Sequence, residues 1–351
     1  MDDVLAEGAT WPAAVGVSGG ADSLALMYLL ADWAQARENK PPVVLAVDHG
    51  LQRGSNHVAE AVAARARRLG LSAHVLRWAG RKPRADIEGA ARTARYRLMG
   101  DWCRRHDIHT LYVAHSMEDQ AETFLLRLMR GSGVDGLAAM APVGPYPAPK
   151  CENLHLARPL LTVPRAKLRG VLVGRGETWV EDEMNRDRRF ARVRLREGWP
   201  VLHEMGFSAE RIAAAARHLA CARAALERDA SELLARAARP DGNAVLVDAA
   251  AIAAAPKEIG LRVLARVLMQ VSGQFYRPRF ERLERLVAAV RLDAVERGRT
   301  LHGCCIRPAP KRLACFGGGT LRISQEAGRR GHGRRAGDCA EFSDVKLSNN
   351  P

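Results

Sequence analysis

The sequence lacks the features that mark membrane and secreted proteins. No apolar run among its 351 residues approaches the roughly 18 that a membrane-spanning helix requires. The start, Met1-Asp2-Asp3, has neither the basic region nor the apolar core of a secretion signal. The seven cysteines form no C-x-x-C pair and are odd in number, which argues against a disulfide framework. We therefore expect a cytoplasmic protein with no membrane segment.

Acidic residues are scarce relative to basic ones. Lys and Arg total 54 against 39 Asp and Glu, which gives a net charge of +15. Such an excess favours a polyanionic partner, because each phosphate that a basic side chain neutralises releases bound counterions. An arginine-rich composition can instead reflect a GC-rich genome or simple solubility. The length suffices for two domains, and no internal repeat is found.

Two common phosphate-binding motifs are absent, and a different loop is present. The segment Ser18-Gly19-Gly20-Ala21-Asp22-Ser23 follows the apolar run 13–17 and precedes residues 24–37, whose leucines have helical spacing. No lysine follows the glycines, which excludes the G-x-x-x-x-G-K-S/T loop, and G-x-G-x-x-G is missing. Glycines between a strand and a helix admit a close ligand, and the helix amides favour an anion. The segment predicts a nucleotide-phosphate site, with Asp22 suited to magnesium. An ordinary Gly-Gly turn capped by Asp22 is the alternative.

Asp48 and His49 follow a second apolar run, residues 43–47. Such a run is typical of a buried parallel strand, and open α/β sheets bind ligands at the carboxyl ends of these strands. We therefore expect both residues beside the nucleotide, although they are equally typical of turns.

A cluster of acids follows a third apolar run, residues 111–114. His115 is followed by Glu118, Asp119 and Glu122, and helical spacing makes Glu122 a neighbour of the other two acids. Acids at the start of a helix suit its macrodipole and need no other explanation. Because they again follow a strand, we interpret them as a candidate site for a metal ion or for the ammonium group of an amino-acid substrate.

Arginines occur in two patterned sets. Arg92 and Arg95 share one face of a helix predicted at 86–105, where a solvated salt-bridged stripe is favoured and contact with substrate phosphates or a carboxylate is the alternative. Further on, the acidic stretch 181–187 precedes a run of arginines around Phe190. That run is a candidate contact for a phosphate backbone; alternatively it only neutralises the acids beside it. Its arginines are Arg188, Arg189, Arg192, Arg194 and Arg196.

Four strand-and-helix units predict a doubly wound parallel α/β sheet with right-handed crossovers. A proline-rich loop is predicted at 142–149. The predicted regions are a catalytic domain at 1–200, a helical connector at 201–240, a smaller α+β domain at 241–324 with strands near 300–301 and 312–315, and a disordered basic tail at 325–351.

Together these motifs resemble a known family. The loop is similar to the S-G-G-x-D-S pyrophosphate loop (PP-loop) of ATP pyrophosphatases, which have an adenine nucleotide alpha hydrolase-like fold. The order of the motifs resembles that of tRNA(Ile)-lysidine synthetases, closely over 13–200 and more weakly over 274–306. The motifs are Ser18 to Ser23, Val47-Asp48-His49-Gly50-Leu51, Glu88 with Ala91-Arg92 and Arg95-Tyr96, Ala114-His115 with Asp119-Gln120-Ala121-Glu122-Thr123, Arg130-Gly131-Ser132-Gly133, Arg158-Pro159-Leu160-Leu161, Glu181-Asp182 with Asn185, Asp187, Phe190 and Arg192, and Thr300-Leu301-His302-Gly303.

The resemblance implies a two-step reaction that uses ATP and Mg²⁺. ATP adenylates carbon 2 of the wobble cytidine in the CAU anticodon of an isoleucine tRNA, and the ε-amine of free L-lysine then displaces AMP to give lysidine. The region 241–324 would recognise the tRNA. The implied catalytic residues are Asp22, Asp48, His115 and Asp119, with Asp22 and Asp119 holding the metal. ATP would be bound by Ser18, Gly19, Gly20, Ala21, Asp22, Ser23 and His49. Lysine or tRNA would be contacted by Arg92, Arg95, Glu122, Asp182, Asn185, Arg188, Arg192, Arg194 and Arg196.

The sequence departs from the family pattern at three points. Ser116 occupies the position of a second histidine, Glu183-Met184 replaces a Pro-Ser pair, and Val193 replaces an asparagine. A tRNA thiolase with the same loop is the runner-up, disfavoured because enzymes that make 2-thiocytidine typically use a cysteine pair. A non-catalytic RNA-binding module is the third interpretation, which the intact loop and Asp119 disfavour.

Overall fold

In a computed structural model the chain forms two compact units, Met1–Arg223 and Ala224–Pro351. No helix in the described part of the chain is long and apolar enough to cross a membrane. The described residues are 1–51, 54–80, 82–83, 87–180, 188–189, 191–274 and 276–326.

The first unit is an α/β structure. Its elements are α1 (Asp2–Ala6), β1 (Ala14–Gly16), α2 (Ala21–Ala36), β2 (Val43–Asp48), α3 (Ser55–Arg68), β3 (Ala73–Arg77), α4 (Ile87–Arg105), β4 (Thr110–Tyr112), α5 (Met117–Leu128), α6 (Val134–Leu137), β5 (Val143–Pro145), β6 (His155–Ala157), α7 (Arg165–Gly174), α8 (Ala191–Glu197) and α9 (Trp199–Glu204). The strands form one sheet with the order β3-β2-β1-β4-β6-β5. All neighbours are parallel except β5, which runs antiparallel to β6. The predicted parallel sheet is confirmed.

Successive residues of the central strands point to opposite faces of this sheet. Val15 and Tyr112 lie in one apolar cluster, to which α2, α3 and α7 contribute. Their neighbours Ala14 and Leu111 lie in a second cluster with residues of α4, including Trp102. Helices therefore cover both faces, which explains why these strands are continuous apolar runs rather than alternating ones.

The second unit is an α+β structure. After α10 (Ala209–Ala237), which contains the boundary between the units, its elements are β7 (Ala238–Asp241), β8 (Ala244–Asp248), α11 (Ala249–Ala254), α12 (Lys257–Ser272), α13 (Phe280–Arg291), β9 (Arg299–Leu301), β10 (Cys304–Pro308) and β11 (Thr320–Gln325). The strands form an antiparallel sheet in the order β7-β8-β11-β10-β9. Leu264 and Leu268 of α12, Leu286 of α13 and Ile323 of β11 belong to its core.

Two local expectations are wrong, and a third extends past the described residues. The proline-rich stretch 142–149 contains the edge strand β5, where Pro145 is tolerated because one side of an edge strand has no ladder partner. The strand predicted at 312–315 is absent, since Lys311–Leu313 forms a short 3₁₀ helix after Pro310. Of the predicted tail, Gln325 still belongs to β11, and residues 327–351 lie outside the described part.

Candidate active site

The carboxyl ends of β1 and β4 bring two predicted motifs to one edge of the first sheet. These strands are parallel neighbours, with Ala14 opposite Leu111 and Val15 opposite Tyr112. The chain continues from β1 to β2 on one side, whereas β4 lies on the other, so the strand order reverses between them. Open α/β sheets bind ligands at such a reversal. The glycine-rich loop after β1 and the acids after β4 therefore share one edge.

The loop after β1 is held closed by two serines. The Ser18 N–H donates to Ser23 Oγ at 3.1 Å, and Ser23 Oγ donates to the Gly20 carbonyl at 2.9 Å. Gly19 has φ of +89°, and a Cβ there would lie 2.8 Å from Val58 Cγ1, so glycine is required. Ser23 thus braces the loop from within. Contact of the loop with ATP stays a prediction.

Helix α2 presents its N-terminus at this edge. It begins at Ala21 with Gly20 as its N-cap, and no described side chain caps it. The first backbone N–H groups of a helix have no partner within the helix and lie at its positive end. The loop and α2 together form the arrangement that binds anions at helix N-termini.

Asp48 stabilises the turn that follows β2. Its Oδ1 accepts hydrogen bonds from Ser55 Oγ at 2.6 Å and from the Gly50 N–H at 3.0 Å. The bond from Ser55, with that from Gly50, lowers the pKa of Asp48 against the effect of partial burial. Beside it, the His49 ring packs edge-on against Trp78, with centroids 6.2 Å apart. These contacts suit turn residues, and a role of either residue toward ATP stays a prediction.

Ser116 and Asp119 cap the helix that carries the acids. Ser116 Oγ accepts from the Asp119 N–H at 3.4 Å, while Asp119 Oδ2 accepts from the Ser116 N–H and hydroxyl at 2.9 and 3.0 Å. This is a reciprocal capping box. Ser116, where the resemblance implies a second histidine, thus has a structural role here. This box fixes the Asp119 carboxylate through Oδ2. Its other oxygen, Oδ1, is bound by Arg165 instead.

Arg165, the first residue of α7, joins the loop to the acid cluster. Its Nη2 lies 2.6 Å from Asp119 Oδ1, its Nη1 3.3 Å from Glu122 Oε1, and its Nε 3.3 Å from Asp22 Oδ2. Its backbone N–H also donates to Glu118 Oε2 at 3.0 Å. Sequence reasoning missed this residue. The only signal for it was indirect, since buried carboxylates such as Asp119 and Glu122 require a cationic partner.

The arginine run is divided between the site and the surface. Arg196 binds Glu122 in a two-pronged pair, at 2.7 and 3.0 Å, and Arg192 reaches Thr123 Oγ1 at 3.5 Å. In contrast, Arg188 pairs with the exposed Glu197, and Arg194 donates to the backbone carbonyls of residues 188 and 189. The division follows from packing, because Leu195 and Trp199 lie against Leu125 in an apolar cluster that holds α8 on α5.

The remaining predicted residues lie around or beyond this cluster. Burial lowers the pKa of His115, and the charges of Arg158, Arg92 and Arg192 reinforce this against the pull of Asp119, so the imidazole is neutral at pH 7. Its Nδ1 is buried with no hydrogen-bond partner among the described residues. Arg92 is exposed on α4 over the Tyr96 ring, and Arg95 is half-buried on the same helix. Asp182 and Asn185 lie outside the described residues.

The pKa values of Asp22 and Asp119 are shifted in opposite directions. Burial raises the pKa of Asp22, with the charges of Asp119 and Glu118 adding to it and Arg165 opposing. Burial also opposes ionisation of Asp119, but Arg165 and the bonds from Ser116 outweigh it and lower the pKa. The pKa of Arg165 is raised, because the surrounding carboxylates outweigh its burial. Four carboxylates face two guanidiniums, which leaves the described cluster with a net charge of −2.

The cluster can accept magnesium only in a limited way. The described residues contain no group of three or more His, Cys, Asp or Glu side chains arranged for a metal ion. Asp119 has one oxygen on Ser116 and the other on Arg165, whereas Asp22 makes a single long contact with Arg165. Magnesium is often held by one or two carboxylates together with substrate phosphates. Asp22 fits such an ion better than Asp119.

The fold and the loop define a class of protein. The PP-loop domain family matches residues 4–202, which contain the parallel sheet, the Ser18–Ser23 loop and the acid cluster. Proteins of this class are ATP-dependent.

Comparison with curated relatives narrows the class. The chain is 40% identical to a tRNA(Ile)-lysidine synthase of Methylobacterium nodulans over 333 residues, which cover 94% of this chain and 95% of that protein. It is 38% identical to a tRNA(Ile)-lysidine synthase of a Bradyrhizobium species, with 90% of both chains covered. The chain therefore belongs to the tRNA(Ile)-lysidine synthase family, whose members are ATP-dependent ligases of tRNA modification. A solved U34-tRNA thiolase of Methanococcus maripaludis matches with a TM-score of 0.48 and 15% identity, covering 59% of this chain and 71% of that one, and supports no inference about function.

Proposed function

We propose that this protein attaches free L-lysine to carbon 2 of the wobble cytidine in the CAU anticodon of an isoleucine tRNA, with ATP as the second substrate. One observation carries the proposal: a phosphate-type loop and a buried acid cluster share one sheet edge and are joined by a single guanidinium, that of Arg165. An enzyme that adenylates one substrate and delivers a cationic amine to it needs both kinds of site side by side.

In the first step, the loop and the α2 N-terminus bind the ATP phosphates. The oxygen on carbon 2 of the cytidine attacks the α-phosphorus of ATP, the phosphoanhydride bond between the α- and β-phosphates breaks, and pyrophosphate leaves. The amides at the start of α2 stabilise negative charge on the phosphates. Magnesium, which would be held by Asp22 and more weakly by Asp119, supplies further compensation for the charge of pyrophosphate.

In the second step, the carboxylates of Asp119 and Glu122 orient the lysine ε-ammonium group. An ammonium has no lone pair, so it must lose a proton before nitrogen attacks carbon 2 and AMP leaves. His115 is the proposed proton acceptor, because its Nδ1 is buried with no described hydrogen-bond partner. Burial lowers the pKa of this imidazole, so the charge of Asp119, which raises it, must stabilise the imidazolium that forms. Asp119 is a weaker candidate, since both its oxygens already accept hydrogen bonds.

Exposed basic side chains serve the tRNA. Arg188 and Arg194 lie at the surface of the first unit beside the site, and Arg92 is exposed on α4. With the net charge of +15, they favour a polyanion whose unpaired anticodon bases can be splayed out and read singly. The proposed tRNA substrate also favours a cytoplasmic location.

The test uses purified full-length protein, an isoleucine tRNA transcript with the CAU anticodon, ATP, magnesium and radiolabelled lysine. We expect lysine to be retained in the RNA, and to be lost when ATP is omitted or the wobble cytidine is changed to uridine. ATP–pyrophosphate exchange that depends on the tRNA, without lysine incorporation, would refute lysine as the nucleophile and keep the adenylation step.

A further inference from the structure

Arg165 occupies the oxygen atoms that the lysine ammonium group would need. Asp119 Oδ2 is already bound by Ser116, so Oδ1 is the oxygen left for a cation, and Arg165 Nη2 lies 2.6 Å from it. Glu122 Oε1 is shared between Arg165 and Arg196. A charged amine that binds these carboxylates must therefore displace or share a guanidinium.

The two arginines of the cluster are not equivalent. Arg196 forms a two-pronged pair with Glu122 and only a long ion pair, at 3.7 Å, with Asp119, a geometry that holds α8 on α5. Arg165 spreads three single contacts over Asp119, Glu122 and Asp22, and two of them are long, at 3.3 Å. One planar fork cannot be optimal for three carboxylates at once. Arg165 is thus the partner that a second cation can replace.

We propose that Arg165 is a positioning residue that competes with the ammonium group of the amine substrate for Asp119 and Glu122, and so prevents that substrate from being held too tightly to react. The inference rests on the proposed function, because it takes lysine as the occupant of the acid cluster. Binding energy that a substrate gains in the ground state, and loses in the transition state, raises the barrier to reaction. By occupying the carboxylates, Arg165 removes part of that ground-state energy.

The proposal gives a result opposite to that of a simple structural role. Arg165→Gln removes the competing charge and increases the negative charge that faces the ammonium. Lysine should therefore bind about three- to tenfold more tightly, as expected for one charge at short range in a partly solvated site. The kcat for lysine transfer should fall by a similar factor, so the KM and kcat for lysine decrease together. Loss of a purely structural arginine would weaken lysine binding.

The experiment measures lysine binding by calorimetry and transfer kinetics with labelled lysine at saturating ATP and tRNA. Four full-length proteins are compared: wild type, Arg165→Gln, Arg165→Lys and Arg175→Gln. Arg175 is the matched control, because it follows the same helix but pairs with Asp32 at the surface. Arg165→Lys keeps a positive charge but cannot contact three carboxylates at once, so its lysine affinity and kcat should fall between those of wild type and Arg165→Gln.

Each outcome decides one question. If Arg165→Gln does not fold, as judged by thermal unfolding, Arg165→Lys carries the test. Unchanged or weaker lysine binding in the folded Arg165 variants, with active wild type, would overturn the inference and leave the proposed function intact. Failure of the wild-type protein to bind and transfer lysine would refute the function, and with it this inference.

Discussion

Both units contain a cluster of carboxylates and arginines, but the two clusters have opposite charge. In the first unit, Asp22, Asp119 and Glu122 contact the guanidinium groups of Arg165 and Arg196, and Glu118 accepts a hydrogen bond from the Arg165 backbone. In the second, Arg262, Arg266 and Arg277 contact Glu227, and Arg262 also contacts Glu258 at 2.9 Å, which gives a net charge of +1. The Arg262 side chain is 1% exposed, whereas its partners in the cluster are partly exposed, so the cluster lies at the edge of the core.

The difference indicates that the first cluster suits a cationic ligand, whereas the second stabilises the fold. Glu227 accepts from Arg262 and Arg277 on one oxygen and from Arg266 on the other, which ties α10 to α12 and to the loop before α13. The acids of the first unit outnumber their partners, and Asp22 has only one long contact among the described residues. An excess of buried acid costs stability unless a ligand uses it. Substitutions in the first cluster should therefore lower activity, and those in the second should lower stability.

The largest effect is expected at Asp22. Asp22→Asn should lower tRNA-dependent ATP–pyrophosphate exchange by about a hundred- to a thousandfold, as removal of a charge-stabilising group in an active site does. Because burial raises the pKa of Asp22, its ionised form is disfavoured and the amide should not lower stability at pH 7. Asp32→Asn, on the same helix and exposed, is the control for exchange and thermal unfolding. A large loss of stability in Asp22→Asn would instead assign Asp22 a structural role, like that of Glu227.

The next effect is expected at Glu227. Glu227→Gln should lower the free energy of unfolding of the second unit by about 3 kcal/mol, because it leaves the buried Arg262 charge without its main partner. Glu284→Gln, which breaks the exposed pair with Lys257, should cost less than about 1 kcal/mol. Urea unfolding of both variants makes the comparison. Equally small losses of unfolding free energy in Glu227→Gln and Glu284→Gln would show that the Glu227 cluster does not stabilise the second unit.

The stabilising role of Glu227 should also be visible in the pH dependence of the free energy of unfolding. Burial opposes ionisation of Glu227, but Arg266 and Arg262 outweigh it and lower its pKa below the ordinary 4.5. The folded state therefore binds fewer protons than the unfolded one, so Glu227 stabilises the fold above pH 4.5 and this contribution is lost as the pH falls through the lower, folded value. The difference in stability between wild type and Glu227→Gln should shrink over that acidic range. A constant difference would contradict the assignment.

A smaller effect is expected at Glu122. Glu122→Gln removes one of the two carboxylates proposed to hold the lysine ammonium, so the KM for lysine should rise about tenfold, within the range for a charged hydrogen bond, while pyrophosphate exchange changes little. Glu152→Gln, at an exposed position of the first unit, serves as control. A rise in the KM for ATP instead would move Glu122 to the nucleotide side of the cluster.

The smallest effect is expected at the surface arginines. Arg188→Gln should weaken tRNA binding about two- to fivefold at low salt and reduce the slope of log affinity against log salt by about one. Arg37→Gln, which breaks a similar exposed pair with Asp2, should leave the slope unchanged. Filter binding over a range of salt concentrations gives both values. An unchanged slope for Arg188→Gln would assign that side chain to Glu197 alone.

Short-range sequence patterns predicted those parts of the candidate site whose structure depends on residues close in the chain. The Ser18–Ser23 loop, the strand before it and the helix after it follow from glycine and apolar spacing within about 25 residues. The acids at 118–122 were found because they follow a strand. The parallel sheet follows from repeated strand and helix units.

Distant contacts could not be predicted in this way. Arg165 lies 143 residues from Asp22 and 46 from Asp119, and nothing in its immediate sequence distinguishes it from other arginines. The division of the arginine run depends on how Leu195 and Trp199 pack against α5. The edge strand β5 was missed because proline usually excludes a central strand, and edge position is a property of the whole sheet.

The contact between Val180 and Gly19 has a consequence for synthesis. The Val180 N–H donates to the Gly19 carbonyl at 3.1 Å, and Arg165 contacts Asp22 only after α7 has formed. A growing chain therefore carries its glycine-rich loop for about 160 residues before the last of these contacts can be made. The Glu227 cluster, in contrast, is complete within 50 residues. During synthesis on the ribosome, this loop therefore gains its last contacts late for a segment so near the N-terminus, and fragments that end before residue 180 should lack a fully ordered loop.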